Sequence, residues 1–171
     1  MITSKITITI LILTSVLLIL FLIGRKSVNA EIVINAPTEE AWSVLTDINR
    51  VKEWNHVLIP IQGELKEGGK ITYKFYQEEN GKATTMEATV RKLIPDKLIN
   101  QSGGISGVLT FNHTYSLKAT EAGSIVRIEE KYRGIMVTFW NPQPVELAYR
   151  RLLEQLKERV EGAVSTSSES N

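Results

Sequence analysis

Two residues capable of acid and base chemistry, His113 and Glu130, lie in segments whose alternation would bring them together. Each is in phase with the apolar residues of its own segment, which is the period of a β-strand with one buried face. If the turn between the segments is centred near residues 119–122, antiparallel pairing places His113 opposite residue 128 or 130. The pair could then act as acid and base, or hold a carbonyl or hydroxyl group of a mostly hydrophobic ligand.

A structural role for the same pair is the alternative. His113 would then be an inward-facing histidine with Glu130 as its partner, or Glu130 would point outward at a β-bulge. Two strand residues without a nucleophile or a third orienting group also fall short of a catalytic triad. The pattern makes His113 and Glu130 candidate site residues and assigns no reaction.

Other patterns carry less chemistry. The chain has no cysteine, which excludes disulfides, thiolate metal sites and cysteine nucleophiles. A lone His and Glu without an established ligand spacing indicate no metal site, and we expect no cofactor. The glycine-rich segment 103–107 matches neither nucleotide fingerprint and no helix follows it, so we interpret it as a bend between strands. His56 follows Trp54 and Asn55 in a loop, where an exposed histidine is expected.

The charge of the chain does not indicate nucleic-acid binding. The formal net charge of +1 includes Lys5, Arg25 and Lys26, which flank the first apolar segment and leave 17 basic and 19 acidic residues elsewhere. Acidic and basic residues are interspersed, without a block of like charge. We therefore expect no nucleic-acid partner.

The first apolar segment, Ile6 to Ile23, contains no charge, no Pro and no Gly. Its 18 residues would form a helix of about 27 Å, close to the hydrocarbon thickness of a bilayer. Its Thr and Ser hydroxyls can bond back to carbonyl groups one turn earlier. The segment therefore predicts an N-terminal transmembrane anchor.

A cleaved signal peptide is the alternative, with Val28-Asn29-Ala30 as the cleavage site and an exported domain as the product. The apolar run is longer than the usual signal core of roughly 7 to 15 residues, and cleavage after Ala30 would remove part of the first predicted strand. Arg25 and Lys26 follow the span and only Lys5 precedes it, which favours a single-pass protein with a cytoplasmic domain.

Strand patterns dominate the rest of the chain. Alternation begins at Val28 and ends at Pro37, and two short helices are expected over residues 38–54. From Ile59 onward, turn signals punctuate β-rich runs at roughly ten-residue intervals, which is typical of an antiparallel meander.

A long amphipathic helix follows Pro144, with an apolar face that is expected to consist of Leu147, Leu152, Leu153, Leu156 and Val160. Gly162 is expected to end this helix. The sequence thus predicts an anchor with short flanks at 1–27, an α+β domain at 28–162 and a polar disordered tail at 163–171.

Three segments resemble a known family. The stretch INAPTEEAWSVLTDINRVKEWN (34–55) is similar to the opening of SRPBCC (START-related) domains of the polyketide cyclase/dehydrase and lipid transport type. That opening is a strand, an Ala-Pro corner, a Trp-bearing helix ending in Leu-Thr-Asp, and a later Trp-Asn. FNHTYSL (111–117) and EEKYRG (129–134) resemble the paired late strands. The resemblance covers Val28 to about Glu161.

The resemblance implies a helix-grip fold, in which a curved sheet of about seven strands wraps around the C-terminal helix and encloses a cavity for an apolar ligand. It implies no particular reaction, because the family includes lipid carriers, aromatases and cyclases, and stress proteins. The expected ligand-binding residues are Trp54, Tyr73, Phe75, Met86, Phe111, His113, Tyr115, Glu130, Tyr132 and Leu153. The apolar run at 136–140 is either a lipid-facing lip or a loop packed under the long helix.

Three functions fit these expectations. The leading one is a non-enzymatic binder or carrier of a hydrophobic small molecule or lipid at a membrane. The second is an enzyme of the cyclase or dehydrase type with His113 and Glu130 as acid and base. The third is a protein-interaction module without a ligand pocket, which a core with no cavity larger than a few water molecules would favour.

Overall fold

The structure, a computed structural model, describes residues 2–168. In chain order its elements are α1 (Ile2–Ile23), β1 (Arg25–Ile34), α2 (Thr38–Thr46), the 3-10 helix η1 (Val51–Glu53), β2 (Leu58–Gly63), β3 (Lys70–Phe75), β4 (Thr84–Ile94), β5 (Leu98–Ile105), β6 (Leu109–Thr120), β7 (Gly123–Arg133), the 3-10 helix η2 (Ile135–Phe139) and α3 (Gln143–Ser168). The strands coincide with the alternating segments of the sequence, and short turns separate β4 to β7.

The seven strands form one antiparallel sheet in the order β1-β7-β6-β5-β4-β3-β2. Strands β2 to β7 form a meander, and β1 pairs with β7 at the edge opposite β2. One face of the curved sheet is buried beneath α3, which packs along β1 and against α2. This confirms the predicted helix-grip fold and its seven strands.

The face of α3 that packs on the sheet repeats at helical spacing. Its buried residues are Val145, Ala148, Tyr149, Leu152, Leu153, Leu156 and Val160. They recur at intervals of three and four residues, as one face of an α-helix does. The expectation that Leu147 belongs to this face is wrong: the residue is 53% exposed, because it lies about 200° around the helix from Val145.

Helix α3 continues past Gly162, where its end is expected. Gly162 is not in a left-handed conformation, so it does not form the usual glycine C-cap. The helix reaches Ser168, since adding residues to an existing helix costs little free energy. Of the tail predicted at 163–171, residues 169–171 lie outside the described part of the chain.

Two features of the middle of the chain differ from expectation. The second short helix of the 38–54 region is a single 3-10 turn, η1, preceded by a hydrogen-bonded turn. Gly103 and Gly104 lie inside β5, and the bend follows them at Ser106 and Gly107. A Cβ atom at Gly103 would lie 2.6 Å from Cζ of Phe111, so glycine lets that ring lie over the strand.

Helix α1 is mostly apolar and is exposed from Lys5 to Ile19, whereas Leu20 and Phe21 near its end are partly buried. Residues Lys5–Ile23 are long and apolar enough to cross a membrane, and none of that window is buried inside the protein. The hydroxyls of Thr9, Thr14 and Ser15 donate hydrogen bonds to carbonyl groups three or four residues earlier, as expected.

Helix α1 and strand β1 are joined by one residue, Gly24. The strand begins at Arg25, three residues before the start that alternation predicts. The Gly24 nitrogen donates to the carbonyl of Leu20, and the Gly134 nitrogen donates to the carbonyl of Gly24, both at 2.9 Å. A Cβ atom at Gly24 would lie 2.1 Å from the Gly134 oxygen, so the joint requires glycine and contains no linker.

Candidate functional site

His113 of β6 lies directly opposite Glu130 of β7, as the alternation predicts. The row continues to Gln101 on β5 and to Val28 on β1, and all four residues are buried on the face beneath α3. Side chains on one face of a sheet recur at every second residue, so the phase of each strand sets this row. The row brings three polar side chains together at the centre of the core.

The carboxylate of Glu130 accepts hydrogen bonds from two tyrosines. The Tyr132 hydroxyl lies 2.5 Å from Oε2, and the Tyr149 hydroxyl of α3 donates to the same oxygen. Nδ1 of His113 lies 3.7 Å from Oε2, beyond hydrogen-bond distance. Glu130 is 1% exposed, and no Lys or Arg within the described residues forms an ion pair with it.

Glu130 remains acidic despite its burial. Burial raises the pKa of its carboxyl group, but the neighbouring His113 ring and the hydroxyls of Tyr132 and Tyr149 outweigh this effect and hold the pKa below its usual value of 4.5. Burial and the negative charge of Glu130 raise the pKa of both tyrosines, so both stay protonated as donors. The cluster is therefore an ionised carboxylate held by neutral donors.

His113 has unused hydrogen-bonding capacity. Within the described residues neither ring nitrogen has a hydrogen-bond partner, although the residue is 2% exposed. Its ring makes edge contacts with Tyr115 and Tyr149, at centroid distances of 4.7 and 5.1 Å. Buried polar groups in proteins nearly always have partners, so His113 is a site where a ligand group or a water molecule would gain a hydrogen bond.

A second polar pair joins β5 to β3. The amide nitrogen of Gln101 donates to the hydroxyl of Tyr73 at 2.7 Å, and both residues are buried. Burial raises the pKa of Tyr73 to about 12, although the bond from Gln101 opposes the shift. Gln101 and Tyr73 thus extend the polar centre of the core toward β2.

The inner cavity lies beside this second pair. It has a volume of about 40 Å³ and is lined by Leu45, Ile48, Val51, Trp54, Asn55, Leu58, Pro60, Leu65, Tyr73, Ile99, Gln101 and Tyr115. That volume holds about three water molecules, whereas pockets for drug-sized ligands have roughly 300 to 1,000 Å³. In this conformation the space between the sheet and the segment of α2 and η1 is nearly filled.

The structure divides the expected ligand-binding residues into three groups. Trp54, Tyr73 and Tyr115 line the inner cavity. The His113 and Glu130 side chains, with Phe75 and Leu153, are buried in packed surroundings outside it, and Met86 is partly buried opposite Tyr73. Phe111 and Tyr132 line a different and larger groove. An acid-base role for His113 and Glu130 therefore lacks space for a substrate in this conformation.

The larger groove, of about 1010 Å³, was not expected. It runs along the outer face of the sheet, across the first residues of β1 and β6 and the last residues of β5 and β7. Its charged lining residues are Arg25, Lys26, Glu87, Arg91, Lys131 and Arg133. The groove is therefore strongly basic, although the domain as a whole is close to neutral.

Sequence reasoning missed two residues of the polar centre. Gln101 lies in phase with Ile99 on β5, so its inward direction was readable from alternation. Tyr149 lies on α3 and reaches Glu130 only through the packing of helix on sheet. No local pattern indicates that contact.

The sequence profile of one protein family matches residues 25–161. The family is described as polyketide cyclase/dehydrase and lipid transport. No curated protein matches the chain. The match covers the whole sheet and the buried part of α3.

Solved structures share the fold at low sequence identity. Protein CV1439 from Chromobacterium violaceum is 18% identical, with a TM-score of 0.65, and the match covers 79% of this chain and 97% of that one. CalU16 from Micromonospora echinospora is 19% identical, with a TM-score of 0.56 and coverage of 81% and 74%. The di-domain ARO/CYC protein StfQ from the steffimycin biosynthetic pathway is 11% identical, with a TM-score of 0.65 and coverage of 82% and 52%. These similarities concern the fold.

Proposed function

This chain belongs to the polyketide cyclase/dehydrase and lipid transport family, and we propose that it binds a small, mostly hydrophobic molecule carrying a hydrogen-bonding group. The ligand lies between the sheet and the helices, and α1 anchors the protein in a membrane. In this proposal the protein is a binder or carrier and catalyses no reaction.

The polar centre of the core carries the proposal. A buried ionised carboxylate without a Lys or Arg partner is destabilising relative to a well-packed apolar side chain. Glu130 is such a group, and His113 beside it has two nitrogen atoms without partners in the described part of the chain. A gain in stability over apolar side chains does not explain why Glu130 and His113 occupy the core. Recognition of a polar group on a ligand would explain it.

Binding requires the inner cavity to expand beyond about 40 Å³. The wall best suited to move contains Trp54, Leu58 and Leu65, because β2 is an edge strand whose pairing with β3 is interrupted between Pro60 and Gln62. Displacing this wall would open the space beside Tyr73 toward His113. We expect the apolar part of the ligand to replace the packing contacts of Trp54. We expect its polar group to form a hydrogen bond with Gln101, His113 or Glu130.

The anchor is supported by the exposed surface of α1. Its segment from Ile6 to Ile23 is uncharged and mostly apolar and lies outside the protein core, so its exposure to water is unfavourable. Strand β1 begins at Arg25, which favours an uncleaved chain over an exported one. An anchored binder also shortens the path between a bilayer and its pocket.

Native mass spectrometry of the detergent-extracted full chain, followed by organic extraction, tests the ligand. Ile48 lines the inner cavity, and we expect Ile48→Trp to fill it and to abolish ligand retention while the fold persists. Ile125→Trp on the outer face is the matched control and should retain the ligand. Recovery of the wild-type chain empty from cells and after incubation with lipids would contradict the proposal.

An interaction module is the second candidate, because a cavity of about 40 Å³ is the size expected of a filled core. In that case the wild-type chain carries no small molecule, and Ile48→Trp leaves partner binding intact. Co-purification of one protein by both the wild-type chain and the Ile48→Trp variant, with neither containing a ligand, would favour this candidate.

A further inference from the structure

The end of the sheet that carries α1 holds η2 against the last turns of that helix. The hydroxyl of Thr138 in η2 donates to the carbonyl of Leu20 at 3.1 Å, and the guanidinium of Arg133 lies 4.8 Å from the centre of the Phe21 ring. Leu20 precedes Ile23 by three residues, or about 4.5 Å along the helix axis. If α1 spans a bilayer, η2 therefore lies at the depth of the membrane interface.

Large apolar side chains are exposed at this end of the sheet. Met136 and Phe139 of η2 are 52% and 71% exposed; Ile105, the last residue of β5, and Val108 of the β5–β6 turn are 68% and 44% exposed. The Met136 nitrogen donates to the Val108 carbonyl at 3.0 Å, so η2 and the turn form one surface. Val137, which lies between Met136 and Phe139 in the chain, is fully buried and packs η2 onto the domain. We name these four exposed residues the apolar collar.

Cations line the outer groove beside the apolar collar. Arg25, Arg91 and Arg133 form no ion pair with a carboxylate in the described part of the chain; Arg91 bonds to the Ser102 hydroxyl. The carboxylate of the groove, Glu87, is paired with Lys70 at 2.8 Å. Arg25 begins β1 and Arg133 ends β7, so these two arginines are free to bind an anion at the end of the sheet that meets α1, whereas Arg91 lies farther along the groove, level with Gln101.

We propose that this end of the sheet docks onto an anionic bilayer, a proposal that rests on the membrane anchor of the proposed function. The apolar collar inserts into the interfacial region, and Arg25 and Arg133 bind the phosphates of anionic phospholipid headgroups. A bilayer is the expected occupant of this surface, because η2 contacts α1, the helix that is proposed to span the membrane. The charge of the groove also supports docking onto an anionic bilayer, because basic residues beside a membrane attract anionic lipids.

Spin labels measure the depth of the apolar collar, and the absence of cysteine allows clean single-site labelling. Full-length Phe139→Cys, Leu13→Cys and Glu121→Cys variants are labelled and placed in nanodiscs of 70% phosphatidylcholine and 30% phosphatidylglycerol. Leu13 lies within α1, and Glu121 lies in the β6–β7 turn at the opposite end of the sheet. We expect oxygen to reach the labels at 13 and 139, and a water-soluble nickel chelate to reach only the label at 121.

The labels distinguish the two ways in which the proposal can fail. A label at 13 inside the bilayer with a label at 139 in water would overturn the docking surface and leave the anchor intact. A label at 13 in water would overturn both. Met136→Cys repeats the measurement, so that the result does not depend on the loss of one Phe side chain.

Lipid preference tests the arginines. The full chain is extracted from the same lipid mixture, and the ratio of phosphatidylglycerol to phosphatidylcholine that remains bound is measured. We expect enrichment of phosphatidylglycerol by the wild-type chain and at least a fivefold fall in the Arg25→Gln, Arg133→Gln double variant, since each cation near a membrane contributes about 1 kcal/mol.

The matched control removes two exposed cations far from α1, in Lys97→Gln, Lys118→Gln. These residues lie in the β4–β5 turn and in the late part of β6. This variant should retain the wild-type lipid ratio. Equal enrichment by the arginine variant and the wild-type chain would overturn the assignment of these arginines to headgroups.

Discussion

Glu130 of β7 and Tyr149 of α3 link the centre of the sheet to the helix that covers it by a hydrogen bond inside the core. The two residues are 1% and 2% exposed, so water does not replace this bond while the domain is folded. Tyr149 also contacts the rings of His113 and Phe75. The position of α3 on the sheet is therefore tied to one buried carboxylate.

Tyr149→Phe removes the donor and leaves the ring in place. We expect the free energy of unfolding to fall by about 1 to 3 kcal/mol at neutral pH, because a buried charged acceptor loses a partner. Urea unfolding of the full chain in detergent, followed by Trp fluorescence, measures the change. Tyr115→Phe is the control, since the Tyr115 hydroxyl does not bond to Glu130, and an equal loss in both variants would contradict the interpretation.

Because of Glu130, we expect the free energy of unfolding to vary with pH in the acidic range. The pKa of Glu130 is lower in the folded chain than the ordinary value of 4.5, so folding favours the ionised form of Glu130 over its protonated form, and this preference contributes stability above about pH 5. This contribution is lost as the pH falls below 4.5 and through the folded pKa. We expect Glu130→Gln to show a smaller decrease in unfolding free energy between pH 6 and pH 3 than the wild-type chain.

The neighbouring Glu129 provides the control for this acid effect. It lies on the outer face of the same strand and pairs with Lys131 at 3.1 Å in solvent. Glu129→Gln should therefore follow the wild-type pH profile closely. A profile for Glu130→Gln that coincides with that of Glu129→Gln would show that the buried carboxylate does not control acid stability.

The joint at Gly24 is sensitive to a single methyl group. In Gly24→Ala the Cβ atom meets the backbone oxygens of Gly134 and Leu20 at 2.1 and 2.9 Å, so the backbone must shift. We expect a loss of about 1 to 3 kcal/mol in unfolding free energy. Gly162→Ala, where the added Cβ atom meets nothing within 4 Å beyond the backbone of its own helix, should instead raise the unfolding free energy by about 0.5 to 1 kcal/mol. Thermal unfolding of both variants checks the contrast.

The pairing of β1 favours retention of the N-terminus over cleavage after Ala30. Residues 25–30 pair with residues 128–133 of β7, so cleavage after Ala30 would remove six of the ten residues of β1. We expect the membrane fraction to contain a chain with α1 intact, as measured by intact-protein mass spectrometry. A mature chain starting at Glu31 would contradict this expectation and the anchor together.

Period-two alternation was sufficient to predict the strands and the meeting of His113 with Glu130. In an antiparallel sheet, phase and turn position together determine which residues lie opposite each other. The start of β1 was predicted too late because Arg25, Lys26 and Ser27 are polar. These residues pair with β7 all the same, since backbone hydrogen bonds do not depend on side-chain polarity.

Contacts between helix and sheet were not predictable in the same way. The apolar face of α3 was expected to include Leu147, but Tyr149 occupies the buried face and donates to Glu130. The rotation of a helix on a sheet depends on the packing of many side chains at once. The small volume of the inner cavity depends on the same packing, so the sequence could indicate its lining residues and not its size.

If α1 spans a bilayer, as proposed, the single residue between α1 and β1 couples the tilt of that helix to the orientation of the sheet. A transmembrane helix changes its tilt when the thickness of the surrounding bilayer changes. Gly24 is hydrogen-bonded to Leu20 and to Gly134, and Thr138 is hydrogen-bonded to Leu20. Such a tilt would therefore rotate the whole domain relative to the membrane plane. The height of the β2 edge above the lipid surface would then vary with bilayer thickness.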